Sequence, residues 1–463
     1  MKTPTQEPIE NSNLPTSGLP AASEGASEGN HRNSRERLLF DTFRSGRKEG
    51  LRAGDLRTAL ERVGLHDGDP RLRESLRLLR ELELGDSATV LDFETFVRIV
   101  KPGILIIERA LQGALVLPDF HGFRGEITAL FERTKEVRGG AVADYIPQLG
   151  RVDPTLFGVS LVSIDGQRMS LGDAQTEFCI QSTCKPISYC LALEELGSDA
   201  VHDYIGCEPS GHSFNELTLN REGRPHNPMI NAGAIMSGAL IRPDLTVADR
   251  FDHVLSKWKE LAGGSRPGFS NATYLSERET ADRNFALGYF MRENGAFPDG
   301  TDLVSVLEFY FQCCSIEMTA ESMAMVAATL ANGGVCPTTG ARVLQPETVQ
   351  KCLSLMSSCG MYDFSGEWAF RIGLPAKSGV SGAIMVVVPN VMGLCVWSPP
   401  LDAQGNSVRG IEFCRELVSR FNFHNYDNVA ASSEKIDPRR RTNEVLRDLS
   451  GDLCWAASEG DLG

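Results

Sequence analysis

No Cys-x-x-Cys pair occurs in this sequence, although twelve cysteines are scattered from Cys179 to Cys454. That spread argues against a disulfide framework or a thiolate metal site, and for reduced thiols that act as small buried hydrophobes. No uninterrupted apolar run reaches the roughly 18 residues that a membrane-spanning helix needs. The nearest approach, GAIMVVVPNVMGLCVW, is broken by Pro389-Asn390 and reads as two strands and a turn. A basic excess is also missing: 46 Lys and Arg stand against 61 Asp and Glu, a formal charge of -15. Nucleic acid is therefore not an expected partner. Without a P-loop, a dinucleotide fingerprint or His-Glu-x-x-His, neither a nucleotide cofactor nor a metal is expected. The N-terminus shows neither a secretory apolar segment nor an Arg-rich, acid-poor transit peptide.

What is present divides into four stretches. Residues 1–36, rich in Pro, Ser, Gly and Glu, have too little apolar surface to order themselves and read as disordered. Over 37–115, apolar residues three or four apart predict helices. The closing LDFETFVRIV resembles an EF-hand pair, yet DGDPRLRESLRL has Arg71 and Leu72 where a calcium ligand and the turn glycine belong. An all-α, EF-hand-like bundle without calcium loops is expected. Residues 116–423 mix both periods. LFGVSLVSIDGQRMSLGD predicts a hairpin turning at Asp165-Gly166, helices fill most of 182–360, and strands return at AFRIGL, GAIMVVVP and VMGLCVW. With a closing helix at SVRGIEFCRELVSRF, this is an α/β (α+β) unit, a mixed sheet flanked by helices. From 424 to 463 the chain is polar until DLCWAASEGDLG, which resembles the first helix of an ankyrin repeat left incomplete.

Ser-x-x-Lys occurs four times, at Ser45, Ser182, Ser256 and Ser432. Only Ser182 stands before an apolar helix, PISYCLALEELG, with Gly197 as its stop. Helix capping would account for Ser182 but not for Lys185, because a cation in the first turn opposes the helix dipole. A nucleophile with its base one turn on accounts for both. LPAKSGVSGAIMVVV adds Lys377-Ser378-Gly379 at the start of an apolar strand. Serine β-lactamases and penicillin-binding proteins combine these two motifs in this order. Tyr362, in the Gly-flanked loop SCGMYDFSG, is a candidate proton relay. To act as a base Lys185 must be neutral, which burial and a second cation such as Lys377 would favour.

Taken together, VADYIPQLG, FCIQSTCKP, RPHNPMINAGAI, GFSNATYLSERETADRNFALGYF, LANGGVCP, SCGMYDFSG, LPAKSGVSG and VPNVMGLCVWSPPLD resemble the serine-dependent glutaminases. The likeness is to the animal phosphate-activated type, closer to its liver form, and runs over about residues 38–438. It implies a β-lactamase-like fold and hydrolysis of L-glutamine to L-glutamate and ammonia through a Ser182 acyl-enzyme. Lys185 would be the general base, Tyr362 the proton shuttle, and the backbone N–H groups of Ser182 and Val380 the oxyanion hole. Tyr145, Asn231, Glu277, Asn284 and Tyr310, together with Ser182, Tyr362 and Val380, match the substrate contacts. Glu277 suits the substrate ammonium, and the asparagines and tyrosines suit its carboxylate.

The resemblance further implies a homotetramer built from dimers, no cofactor, and a mitochondrial compartment. The N-terminus conflicts with that compartment, which leaves the cytoplasm as the alternative. Inorganic phosphate stays open as an activator. In the loop the family uses for assembly and activation, Glu216 and Thr218 replace the lysine and aromatic of kidney-type members. Two rival readings remain: another Ser-x-x-Lys acyl hydrolase of the β-lactamase type, and a catalytically silent scaffold that binds partners through its flanks.

Overall fold

The computed structural model describes residues 27–45, 50–85, 90–211, 216–430 and 434–441. The ankyrin-like stretch DLCWAASEGDLG lies outside the described residues, as do residues 1–26.

Five strands form the central sheet: β1 (Gly158–Ser163), β2 (Arg168–Gly172), β6 (Ala376–Ser378), β7 (Ala383–Val388) and β8 (Met392–Trp397). Their spatial order is β2-β1-β8-β7-β6, and every neighbouring pair is antiparallel. The sheet expected to be mixed is thus antiparallel throughout. Turns of a few residues join β1 to β2, β6 to β7 and β7 to β8, and connections that short permit only antiparallel neighbours. A small second sheet pairs β3 (Phe178–Cys179) and β4 (Gly268–Phe269) with β5 (Ile316–Met318).

The alternation along β7 shows how the sheet divides the interior. Ala383, Met385 and Val387 enter one core and Ile384, Val386 and Val388 the other. An all-apolar hexamer is what a strand covered on both faces requires. The first core holds the helices Lys185–Leu196, Asn231–Leu240, Leu303–Cys314 and Ala320–Ala331. Phe120–Lys135 and Val408–Arg420 cover the opposite face. Each fully buried side chain in such a core contributes roughly 1.5–3 kcal/mol.

One strand expectation fails. Ala369–Arg371 of AFRIGL end the helix Ser365–Arg371 rather than begin a strand. The Trp368 indole, fully buried, donates to the Leu374 carbonyl at 2.7 Å, and the Ile372 and Gly373 N–H groups bond back to Trp368. These bonds close the helix, so the strand starts only at Ala376.

The N-terminal helices pack around a core of their own that includes Leu56, Leu76, Phe96 and Ile107. Their first helix begins at Ser27, within the stretch read as disordered, and runs to Arg44. Leu39 and Phe40 anchor it, and extending a nucleated helix costs little per residue. The bundle docks on the β1–β2 hairpin. Asp165, buried at its turn, accepts from Arg109 Nη1 at 2.7 Å and from the Val116 N–H at 2.6 Å, while Arg71 donates to the Asp165 carbonyl at 2.7 Å. Residues 434–441 return to the body. Ile436 bridges to Phe421, and the Arg441 guanidinium donates to the Gln112 and Gly113 carbonyls.

Candidate active site

Ser182 does not cap its helix. It lies within a 3-10 turn, Gln181–Cys184, that runs directly into Lys185–Leu196, and Cys184 holds the N-cap position. No side chain caps that end, and Gly197 stops the helix at the other. Instead the Ser182 hydroxyl meets Lys185 Nζ at 2.6 Å in a buried hydrogen bond. The turn is strained just ahead of the serine: Gln181 has φ +48, a left-handed value costly for a residue with a Cβ.

The Lys-Ser-Gly strand lies against this turn. A Cβ on Gly379 would stand 2.9 Å from the Ile180 carbonyl oxygen, so only glycine lets β6 approach so closely. Val380 follows at once. Neither its N–H nor that of Ser182 donates to a backbone carbonyl among the described residues. Gly360 is pressed harder still onto β6, where a Cβ would stand 1.7 Å from the Ala376 carbonyl oxygen, and its own carbonyl accepts from the Ser378 N–H at 3.1 Å. Two residues on, Tyr362 adopts φ +54, and its ring lies under Lys377 Nζ at 4.4 Å from the centroid.

Burial dominates the electrostatics. It lowers the pKa of Lys185, whose Nζ stands 5.5 Å from the centroid of the Tyr310 ring. Lys377 is also driven down, by burial and then by repulsion from Lys185, and donates to the Ser378 carbonyl at 2.7 Å. The second cation expected to favour a neutral Lys185 is thus itself pushed towards its neutral form, because two enclosed amines cannot both hold a proton cheaply. Burial raises the Tyr362 phenol, opposed by a hydrogen bond with Ser182.

Glu277 forms the second group. It sits on the helix Asn271–Glu279, largely buried, where its carboxylate accepts from Tyr145 at 2.6 Å and from Gln181 Nε2 at 3.1 Å. Burial raises its carboxyl, and the two hydrogen bonds and the Lys185 charge oppose that rise. Tyr145 leaves about half its surface in solvent and turns its hydroxyl inward. In a third group, Asn231 donates to Asn284 Oδ1 at 3.0 Å and accepts from the Tyr310 hydroxyl at 3.3 Å.

Contacts through Lys185, Tyr310 and the 181–184 turn link these groups to one another. Gln181 was not among the residues singled out from the sequence. Adjacent to the nucleophile candidate and bonded to Glu277, it joins two of the groups, but a lone glutamine carries no motif that would reveal this.

A profile of the glutaminase family matches residues 140–426, and an EF-hand domain profile matches residues 35–118. The chain is 50% identical over 426 residues to the liver isoform of mitochondrial glutaminase from Rattus norvegicus, an alignment covering 92% of this chain and 71% of that protein. Against putative glutaminase 2 of Caenorhabditis elegans it is 50% identical over 439 residues, covering 92% and 72%. A solved structure described as a probable glutaminase superposes with TM-score 0.62 and 37% identity, over 65% of this chain and 96% of that one. Sequence and fold agree along most of its length, and this chain belongs to the glutaminase family of glutamine amidohydrolases.

Proposed function

We propose that the enzyme hydrolyses L-glutamine to L-glutamate and ammonia through an acyl-enzyme on Ser182. The reading rests above all on the 2.6 Å contact between Ser182 Oγ and an enclosed Lys185 amine. A neutral Lys185 takes the hydroxyl proton as Oγ attacks the side-chain amide carbon. The developing oxyanion is met by the Ser182 and Val380 N–H groups, neither of which donates to a backbone carbonyl among the described residues. Tyr362 hands a proton to the departing nitrogen and recovers one from protonated Lys185, so that the C–N bond breaks, leaving ammonia, a γ-glutamyl ester and a neutral Lys185. Water, deprotonated by Lys185, then attacks the ester and frees glutamate.

Glu277, oriented by Tyr145 and Gln181, receives the substrate ammonium. Asn231, Asn284 and Tyr310 receive its carboxylate. A ligand lacking either charge would leave buried polar groups unpaired, which is the source of specificity. Ammonia release by the purified protein, compared with Ser182→Ala and with a β-lactam as rival substrate, tests the assignment. Turnover of the β-lactam but not of glutamine would overturn it.

Three further properties belong to the same reading. A mitochondrial compartment is supported by the names of the rat and mouse relatives. A homotetramer, a dimer of dimers, follows from the resemblance and is tested by sedimentation. Catalysis without a cofactor is part of the reading too; inorganic phosphate stays open as an activator, because Glu216 and Thr218 replace the lysine and aromatic of kidney-type members, and turnover with and without phosphate tests this.

A further inference from the structure

Tyr362 meets Ser182 from a backbone that is unfavourable to it. At φ +54 it occupies the left-handed region, which is costly for an aromatic residue. A cavity of about 390 Å³ adjoins the loop, lined by Tyr362, Asp363 and Ser365 together with residues 209–211. Among the described residues, that side of the loop leaves space into which a strained residue can relax. What opposes this is the Ser365 side chain. Its hydroxyl, on a buried residue, accepts from the Met361 N–H at 2.9 Å and donates to the Tyr362 carbonyl at 2.7 Å. A hydroxyl has one hydrogen to donate and lone pairs to accept, and here both capacities are spent on consecutive residues of the strained turn. Met361 is itself fully buried, and Gly360 before it is pressed onto β6, so the hydroxyl ties Tyr362 to a fixed point. Ser365 is also the first residue of the helix Ser365–Arg371, but that start does not depend on its side chain, because its backbone N–H already bonds the Tyr362 carbonyl.

We propose that Ser365 is a positioning residue for proton transfer to the leaving nitrogen, its hydroxyl holding Tyr362 in the left-handed conformation from which the phenol reaches the reacting atoms. The proposal rests on the reading of Tyr362 as the acid that serves the departing nitrogen, and Ser365 acts only through it. With the backbone held, the Tyr362 ring lies under Lys377 Nζ and its phenol bonds with Ser182. Without the hydroxyl, Tyr362 divides its time between that conformation and relaxed ones, and turnover falls with the fraction of enzyme that keeps the phenol in place. Substrate binding is not affected, because the ammonium and carboxylate of glutamine are met by other residues.

Ser365→Ala keeps the backbone bond to the Tyr362 carbonyl and deletes only the hydroxyl. In the full-length enzyme it should lower kcat for ammonia release about tenfold and leave KM for glutamine within about twofold. On γ-glutamyl-p-nitroanilide, an amide with a better leaving group, the loss should be smaller. Ser365→Thr, which returns the hydroxyl, should recover most of the activity. In a Tyr362→Phe background Ser365→Ala should cost nothing further, whereas a general weakening of the fold would cost the same in both backgrounds. Circular dichroism and the thermal midpoint of each variant establish that folded enzymes are being compared. An unchanged kcat, a rise in KM alone, a threonine variant no better than alanine, or an undiminished loss in the Tyr362→Phe background would overturn the proposal. A substrate-selective loss in Tyr362→Phe that Ser365→Ala does not share would overturn this proposal alone. Equal losses on both substrates in Tyr362→Phe would overturn the acid reading of Tyr362 and this proposal with it.

Discussion

Lys185 Nζ and Ser182 Oγ lie 2.6 Å apart, one turn apart in sequence, with the amine wholly enclosed. A protonated amine there would be a poor base and a costly buried charge, so the pair is useful only with the lysine neutral. Lys185→Ala should therefore lower turnover by about 10³-fold. Lys185→Arg should not restore it, because a guanidinium cannot be deprotonated in a protein. Ammonia release by the two variants, each checked for folding by circular dichroism, decides this.

The same burial sets a pH dependence. Turnover should rise with pH through the lowered pKa of Lys185, as the amine loses its proton. Stability should rise over the window from that lowered value up to about 10.4, since there the unfolded chain binds more protons than the folded one. Conversely, stability is lost as pH falls through this window. Lys185→Met should flatten the rise, and urea midpoints measured from neutral pH to about 10 will show whether it does. An equally steep rise in the variant would contradict the burial argument.

Tyr362→Phe should slow release of ammonia by about 10²-fold or more. With γ-glutamyl-p-nitroanilide, whose leaving group needs less help from an acid, the loss should be smaller. Equal losses on both substrates would assign Tyr362 a structural role instead.

Tyr145→Phe removes the 2.6 Å hydrogen bond that keeps the Glu277 carboxyl from rising further. A bond to a charged group contributes about 1.5–3 kcal/mol, so KM for glutamine should increase by about 10- to 100-fold, more than kcat falls. The acid limb of kcat/KM should also move upward. A fall in kcat alone would place Tyr145 outside ammonium recognition.

Much of this site was legible before the fold was known, for reasons that differ by residue. Ser182 with Lys185 and the Lys377-Ser378-Gly379 strand are local patterns whose spacing is itself the chemistry. Glu277, Asn231 and Asn284 could be found only by resemblance, because each is an ordinary helix residue until Tyr145, Gln181 and Tyr310 converge on it. The capping role considered for Ser182 is displaced by a 3-10 turn that no local pattern marks. The AFRIGL strand is overruled by a tertiary bond from Trp368. Docking of the helical bundle through Asp165 depends on contacts across 49 to 94 residues, beyond the reach of any periodicity.

The bundle keeps the EF-hand outline, and arginines engage the two aspartates of the loop expected to lack calcium. Asp69 is held by Arg71 at 2.6 Å, and Asp67 pairs with Arg80. Adding calcium, or a chelator, should leave the thermal midpoint where it was. A calcium-dependent rise would contradict this reading of the loop.

The central claim is that Ser182 is acylated, and mass spectrometry of acid-quenched reactions tests it most directly. With wild-type protein and glutamine, the peptide containing Ser182 should gain the mass of one γ-glutamyl group, and Ser182→Ala should show neither that adduct nor turnover. Undiminished ammonia release by Ser182→Ala, with no adduct in either protein, would contradict the account.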